Sequence, residues 1–539
     1  MERRTFVRYI GTLGTVALLM PDLLACNTAK SKISVNRLGA PLDRGHLLRG
    51  NFDFARDYPV VKMEIPAVII GGGISGLSTG YHLQKNGFTD FLLLELNESV
   101  GGNSGFGENR YSKYPLGAHY LSLANPNNRA LIDFLKEQGL ITREEDGRQY
   151  YLEDFLCHAP DERLLFKGVF HEGLVPEYGI SPETHAEITR FFDQMKVLKE
   201  AKNTDGIDLF NIPISQASIN SDLEALDKIT FRDYLNDQGY HSEELHWFLD
   251  YCCRDDFGAG SDKVSAWAGI HYFAGRKAKP GNTDPTTVLT WSEGNGFLTN
   301  ILEKSIREQV KTNVLVYSVE ELEDRVFVQA VDLKTQKKLH IHAESAVISS
   351  PSYVAKHILR SPSWPQSYFE RIHHNPWLIG IVVVDEIPEG NGTPLAWDNV
   401  KFGTKGLGYV SDRHQEFGQH RDKHVISVYL ALDREDEQTE RRKLFQMTDE
   451  EMCGLVVSEL TSMHPLIEQH IQSISFQRWG HGMVTPYPGA LAKYQEYLRL
   501  KSNAKRVHLA HTDYSSYSVF EEGFDLGLLA ANKLVNHEA

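Results

Sequence analysis

A chain of 539 residues with 41% hydrophobic and 24% charged side chains has the balance of a globular body, which excludes disorder, fibres and a polytopic membrane protein. Its length favours two linked domains over one. The formal net charge of -16, with no Lys/Arg stripe interleaved with aromatics, would repel phosphate backbones, so nucleic acid is not expected as a partner.

The chain opens MERRTFVRYIGTLGTVALLMPDLLAC, with Arg3-Arg4-Thr5-Phe6, a further Arg8, an apolar stretch from Tyr9 to Met20, and Leu23-Leu24-Ala25-Cys26. Charged, apolar and small-residue regions in that order follow the grammar of a secretory signal, and the apolar stretch is short for a membrane span. Arg3-Arg4 before Phe6 resembles a twin-arginine signal, by which bacteria export proteins already folded around a cofactor. Leu23 to Cys26 resembles a lipobox, with Cys26 as the lipidated first residue of the mature chain. Residues 1–26 are therefore expected to be an export signal of lipoprotein type, read by the export machinery. Residues 27–59, polar and aperiodic, read as a tether. The expected location is exported: periplasmic, or membrane-anchored through Cys26 and facing the periplasm. An uncleaved anchor, or a chance basic and apolar start on a cytoplasmic protein, explains the same letters.

AVIIGGGISGLSTGYHLQ, Ala67 to Gln84, reads as strand, tight turn and helix. Gly71 permits the turn, Gly73 lets backbone approach a pyrophosphate, and Gly76 lets the helix pack on the strand. Ile74 and Ser75 open the helix, whose free N–H groups face the phosphates. Asn86-Gly87 closes it, and FLLLELNES brings a second strand to Glu95, 19 positions after Gly76. An acid there accepts hydrogen bonds from a ribose and repels the 2'-phosphate of NADP. FAD and NAD both remain open on spacing alone, and a glycine-rich structural turn is the plain alternative.

Farther on, PETHAEITRFFDQMKVLKEA has helical spacing. CCRDDFGAGSDKVSAWAGIHYFAGR, Cys252 to Arg276, sets Arg254, Asp255 and Asp256 among aromatics; it could line a substrate entrance, but a salt-bridged loop before a buried helix explains the same letters and is the favoured reading. Cys252 and Cys253, about 3.8 Å apart across a trans peptide, read as free thiols. The five cysteines show no zinc spacing, and no metal is expected. Ile379 to Ile387 reads as a buried strand, Trp397 and Tyr409 as pocket residues, and Thr448 with Glu451 as a capping box.

Several segments resemble the flavin-containing amine oxidase superfamily, which includes monoamine and polyamine oxidases and phytoene desaturases. NESVGGNSG, with Gly101, Gly102 and Asn103, is similar to its second FAD motif. YPLGAHYLSL, with Gly117, Ala118 and His119, resembles the segment passing the isoalloxazine ring. WSEGNGFLTNILEK, VLVYSVEELEDRVFVQAVD (the strand pair at the adenine end, with Val319) and AVISSPSYVA follow. VHLAHTDYSSYSVFEEGFDLGLLAANKL resembles the C-terminal FAD motif, with Asp513 on the ribitol or pyrophosphate, a helix starting near Phe520, and Asp525 as a solvated helix position.

The resemblance implies FAD, held non-covalently because RWGHGM has no cysteine. It implies an α/β fold: a Rossmann-like FAD-binding domain (60–125, 288–355 and 475–539) interleaved with an α+β substrate-binding domain (126–287 and 356–474). The implied activity is hydride transfer from an amine or other C–H donor, a small molecule, to flavin N5. Trp479 and Tyr517 would line the substrate pocket, and His481 would relay a proton at the flavin, unless it is simply a hydrogen-bonded histidine in a glycine loop. Val484 and Val519 stand near the two aromatic-cage positions, Asn103 stands where many relatives carry arginine, and no lysine lies near Ile379. Those departures keep open an FAD-dependent desaturase or isomerase of a lipid-like substrate, and a non-catalytic FAD-containing binding protein. A long apolar tunnel is expected of the lipid enzyme, and a short pocket with acidic groups of the amine enzyme.

Overall fold

The computed structural model describes residues 33–39, 42–50, 52–53, 56–388, 390–416 and 422–537; the signal and Cys26 lie outside them. Residues from Val35 onward cluster as one compact unit.

The nucleotide-binding half rests on strands that end in short apolar runs without polar alternation, Ala67–Ile70, Phe91–Leu94 and Ala346–Ile348. Val60–Ile70 pairs in parallel with Phe91–Leu94 on one side and with Lys337–Ile348 on the other, Ile69 facing Leu93 and Val347. Val507–Leu509 pairs, also in parallel, with Ala346–Ile348 at the end of that long strand. Ala67, Val68, Ile69, Leu93 and Val347 are fully buried, as expected of strands covered on both faces. The first part of Lys337–Ile348 turns back through Val326–Asp332 to Val314–Glu321 as an antiparallel meander.

Two helices, from opposite ends of the sequence, meet on this sheet. Ile74–Lys85 crosses Phe520–His537 where a Cβ on Gly527 would stand 2.5 Å from the Ser75 carbonyl oxygen, so only glycine fits. The Ser78 hydroxyl donates to the Phe524 carbonyl at 2.7 Å across the same contact.

The second large sheet includes, in order, Ile471–Val484, His374–Val384, His424–Ala431, Tyr409–Ser411, Asp398–Lys401, Glu162–Phe166 and Val169–Glu172. All eleven residues of His374–Val384 are buried, and the sequence run from Ile379 is its second half. Helix Asp449–Met463 packs on it through Val456, whose Cγ2 would be 2.6 Å from a Cβ on Gly380. Its N-terminus is closed by the reciprocal Thr448–Glu451 capping box. Helices Pro182–Lys199, Glu243–Phe257 and Ala266–Ala274 gather around Phe191 and Phe231, and Phe231 fills the space over Gly269. Cys252 to Asp256 thus lie in a helix rather than a loop, and Cys252 and Cys253 are buried free thiols. Among the described residues no helix is long and apolar enough to cross a membrane.

Candidate active site and cofactor cleft

The first cavity, of about 300 Å³, opens where the parallel strands end. Gly71 has φ +106°, and a Cβ there would meet the Ser349 carbonyl carbon at 2.8 Å. A Cβ on Gly76 would come within 1.9 Å of the Gly71 oxygen, whereas one on Gly73 would meet nothing within 4 Å. Gly73 therefore borders open space, and the helix begins beside it with no side-chain cap, leaving N–H groups for an anion in the cavity that Ile74 and Ser75 line.

Glu95 is fixed at the end of its strand by the Gly72 N–H on Oε2 (2.7 Å) and the Asn97 N–H on Oε1 (2.8 Å). Burial pushes its carboxyl up, and those N–H donors oppose the shift. Gly101 and Gly102 have φ +119° and +56°, and Gly101 donates to the Gly72 oxygen at 2.8 Å, so the two glycine turns lock together. Asn103 spans the cleft, its Nδ2 donating to the Gly482 oxygen at 2.5 Å while its own carbonyl accepts from Ala118 at 2.9 Å. A Cβ on Gly117 would strike that carbonyl at 2.3 Å.

Asp513 is buried and accepts from the Ser352 N–H at 2.7 Å. Burial alone would push its carboxyl up, but His374 (Nε2 at 2.9 Å) and His511 (Nδ1 at 3.2 Å) hold it well below the usual carboxylate range. The His374 N–H is not aimed along that contact, so the contact is a close approach rather than an aligned hydrogen bond. The hydroxyls of Ser349 and Ser350 line the same cavity, buried and without a partner. An uncapped helix start, an acid at the strand end, and two orphaned hydroxyls are the donors and acceptors a dinucleotide needs.

The second cavity, of about 120 Å³, shares Asn103, Ala118, Trp479, Met483, Val519 and Phe520 with the first. Its remaining wall is aromatic, from His119, Tyr120, Trp377 and Tyr429. Burial pushes His119 down to about 4, so its imidazole is neutral at physiological pH. One end is acidic. Asp256 is engaged by Arg276 Nη2 at 2.8 Å and the Tyr517 hydroxyl at 2.9 Å. Asp255 has no hydrogen bond or ion pair, and burial, then repulsion from Asp256, pushes it up to about 7. Glu521 is raised to about 7 by burial, against its own backbone N–H. The buried Asn295 Oδ1, also on this wall, has no donor.

Several residues singled out in the sequence lie elsewhere. Val319 is buried against Val328 within the sheet; Val314 and Val316 line the cofactor cleft instead, because they lie at the end of the strand beside Glu95 and Val319 lies farther along it. Tyr409 is buried with its hydroxyl on His464 Nε2 at 2.8 Å, and Trp397 backs His119 at 5.4 Å between ring centres, so neither lines the two cavities described above. Tyr517 acts from behind the wall through Asp256. Trp479 lines both cavities and is pinned by its Nε1 donating to the Leu116 oxygen at 2.5 Å. Asp525 is not solvated: it is buried and accepts from the Ser215 hydroxyl at 2.7 Å. His481 lies on the cofactor cleft, stacked on Tyr353 at 3.9 Å. Burial, then Arg441, pushes it down to about 2; it stays neutral near pH 7 and cannot relay protons there as an acid–base pair. Ser349, Ser350, His374 and Glu521 carried no recognisable signal of their own in the sequence.

A nucleotide cleft opening onto a small aromatic and acidic chamber defines an FAD-dependent oxidoreductase of mixed α/β fold. The family model for flavin containing amine oxidoreductases matches residues 74–535, and the chain belongs to that family. It is 23% identical over 497 residues to the flavin-containing amine oxidase B of Cavia porcellus, covering 88% of this chain and 87% of that one. Its fold is similar to that of a putrescine oxidase bound to putrescine (TM-score 0.64, 15% identity, 88% of this chain and 100% of that one). It is also similar to a conjugated-linoleic-acid-producing fatty acid isomerase from P. acnes (TM-score 0.59, 16% identity, 88% and 99%).

Proposed function

We propose that the donor is an amine, taken up as its cation by Asp255 and Glu521. The observation that carries this reading is a pair of carboxylates, Asp255 and Glu521, that face a small, largely aromatic chamber without a side-chain donor of their own. A carboxylate held in a closed chamber without a side-chain donor is costly, and an ammonium group relieves that cost. Asp256 is less available for this, because its Oδ2 already accepts from Arg276 and Tyr517 and its charge is paired with Arg276. Asn295 Oδ1 adds a third acceptor, and the rings of Tyr120 and Tyr429 exclude water from the bound chain.

Bound FAD supplies the two-electron acceptor for the C–H bond next to nitrogen. The protein's part is to orient that carbon and to manage one proton: with a carboxyl near 7, Asp255 accepts the ammonium proton at Oδ, leaving the neutral amine that loses its C–H bond. A short chamber with an acidic end disfavours a long acyl chain, which leaves lipid isomerisation the weaker reading. The flavin is held without a covalent link in this reading, as Met483 occupies the wall where the two cavities meet.

Anaerobic addition of putrescine, benzylamine and linoleic acid to the yellow holoprotein tests the proposal. Bleaching by an amine supports it, and bleaching by linoleic acid alone overturns it. We also propose export by the twin-arginine route with anchoring at Cys26, on the signal-like N-terminal sequence. Cell fractionation of the chain and of Cys26→Ser tests this: the parent pellets with membrane and the variant is soluble in the periplasm. Equal cytoplasmic recovery of both overturns it.

A further inference from the structure

The segment ahead of the nucleotide-binding strand reads in sequence as a tether, yet part of it is built into the body. The Leu38 N–H donates to the Phe476 oxygen at 2.7 Å, and Arg37 Nε to Asp449 Oδ1 at 2.8 Å. The chain then forms the short helix Leu42–His46 and the turn Leu47–Arg49. Arg44 donates through Nη1 to Asn313 Oδ1 at 3.1 Å and through Nη2 to Glu98 Oε1 at 2.7 Å. His46 stands edge-on to Phe445 at 6.4 Å, and Leu48 lines the cofactor cleft.

Both anchors adjoin residues that line that cleft, Asn97 and Val314 on one side and His481 on the other. The Asn313 N–H donates to the Asn97 oxygen at 2.9 Å, and Asn97 in turn donates to Glu95; Arg44 thus grips the turn that presents the ribose-binding acid. Phe445 lies over Gly480, its Cζ 2.5 Å from where a Cβ would be, next to His481 on the opposite wall. No glycine or acid motif of the nucleotide-binding pattern includes these residues.

We propose that residues 42–49 form a strap across the cofactor cleft, with Arg44 as its latch and Leu48 as its plug, and that the strap sets how fast FAD leaves. The contacts are few and partly exposed, so the strap opens locally while the sheet stays folded. The inference rests on the family's FAD and is independent of the amine reading.

The test is the release of FAD from the holoprotein after dilution, read as the rise in free-FAD fluorescence, for the parent and for Arg44→Ser/Leu48→Ser. At least about a tenfold faster release, with the unfolding temperature of the cofactor-free protein unchanged, is expected for a strap holding the closed state in large excess. An unchanged release rate overturns the proposal. Should the double variant fold poorly, a chain with a protease site inserted after Gly50, loaded with FAD and then cut, decides: faster release on cutting supports the strap and unchanged release overturns it.

Discussion

Replacing Asp255 by Asn removes one charge and keeps the shape and an acceptor oxygen. Asp256 is already neutralised by Arg276 at 2.8 Å, so the change takes one of the two free carboxylates facing the chamber. A charge-assisted hydrogen bond contributes about 1.5–3 kcal/mol net, and kcat/KM for the reactive amine should therefore fall roughly 10- to 150-fold. The pH profile is the sharper assay. Asp255 and Glu521 both stand near 7. Their carboxylate forms bind the ammonium, so kcat/KM falls as pH drops below about 7. Asp255→Asn should reduce that limb from about two protons to about one, and Asp255→Asn/Glu521→Gln should flatten it. Stability moves the other way. The folded value near 7 lies above the ordinary 3.8, so the folded chain holds the proton more tightly than the unfolded one. Asp255 therefore costs nothing below about 3.8 and destabilises increasingly as pH rises toward 7. Asp255→Asn should raise the unfolding temperature at pH 8 and leave it unchanged at pH 3.5. A kcat/KM within twofold of the parent, or a limb surviving in the double variant, refutes the assignment.

Gly76→Ala would push a Cβ to 1.9 Å from the Gly71 oxygen, and the purified protein should be colourless or insoluble; normal flavin content counts against the tight-turn reading. Glu95→Gln keeps the shape but loses the charge facing the ribose, and FAD affinity by fluorescence titration should drop about tenfold, one charge-assisted hydrogen bond. Tyr517→Phe removes the hydroxyl on Asp256 and should lower stability by about 1–2 kcal/mol in urea unfolding, with kcat/KM reduced and the Asp255 limb still present. His481→Asn should leave the pH profile between 6 and 9 unmoved, since His481 is neutral throughout; a shifted limb would restore it as a proton relay.

The cofactor cleft was legible because its chemistry sits in backbone. Gly71, Gly76 and Gly117 are forced by contacts no side chain survives, and sequence displays such positions directly. The capping box at Thr448 and Glu451 is likewise local. What escaped depends on register or on long-range packing. Val319 shares a face with Val314 and Val316 but lies farther along the strand than the cleft reaches, which the local pattern does not show. Asp525 looked like a helix-surface acid, and only Ser215, 310 positions away, makes it a buried one. Asp255 and Glu521 converge on one chamber from helices far apart in the chain, and nothing in either neighbourhood marks the other. The N-terminal segment looked like a tether because eight residues packing against a finished surface need no periodicity of their own.

The hydrogen bond from Ser78 to Phe524 joins positions 446 residues apart, and it lies where the two cofactor-facing helices meet. A ribosome-bound chain has made its glycine turn long before it has made the helix that clamps it. Flavin uptake must therefore wait for the helix from Phe520 to emerge, and a chain cut short before Phe520 should accumulate without colour. Pigmentation thus reports that this helix has been made and docked on the glycine turn's helix.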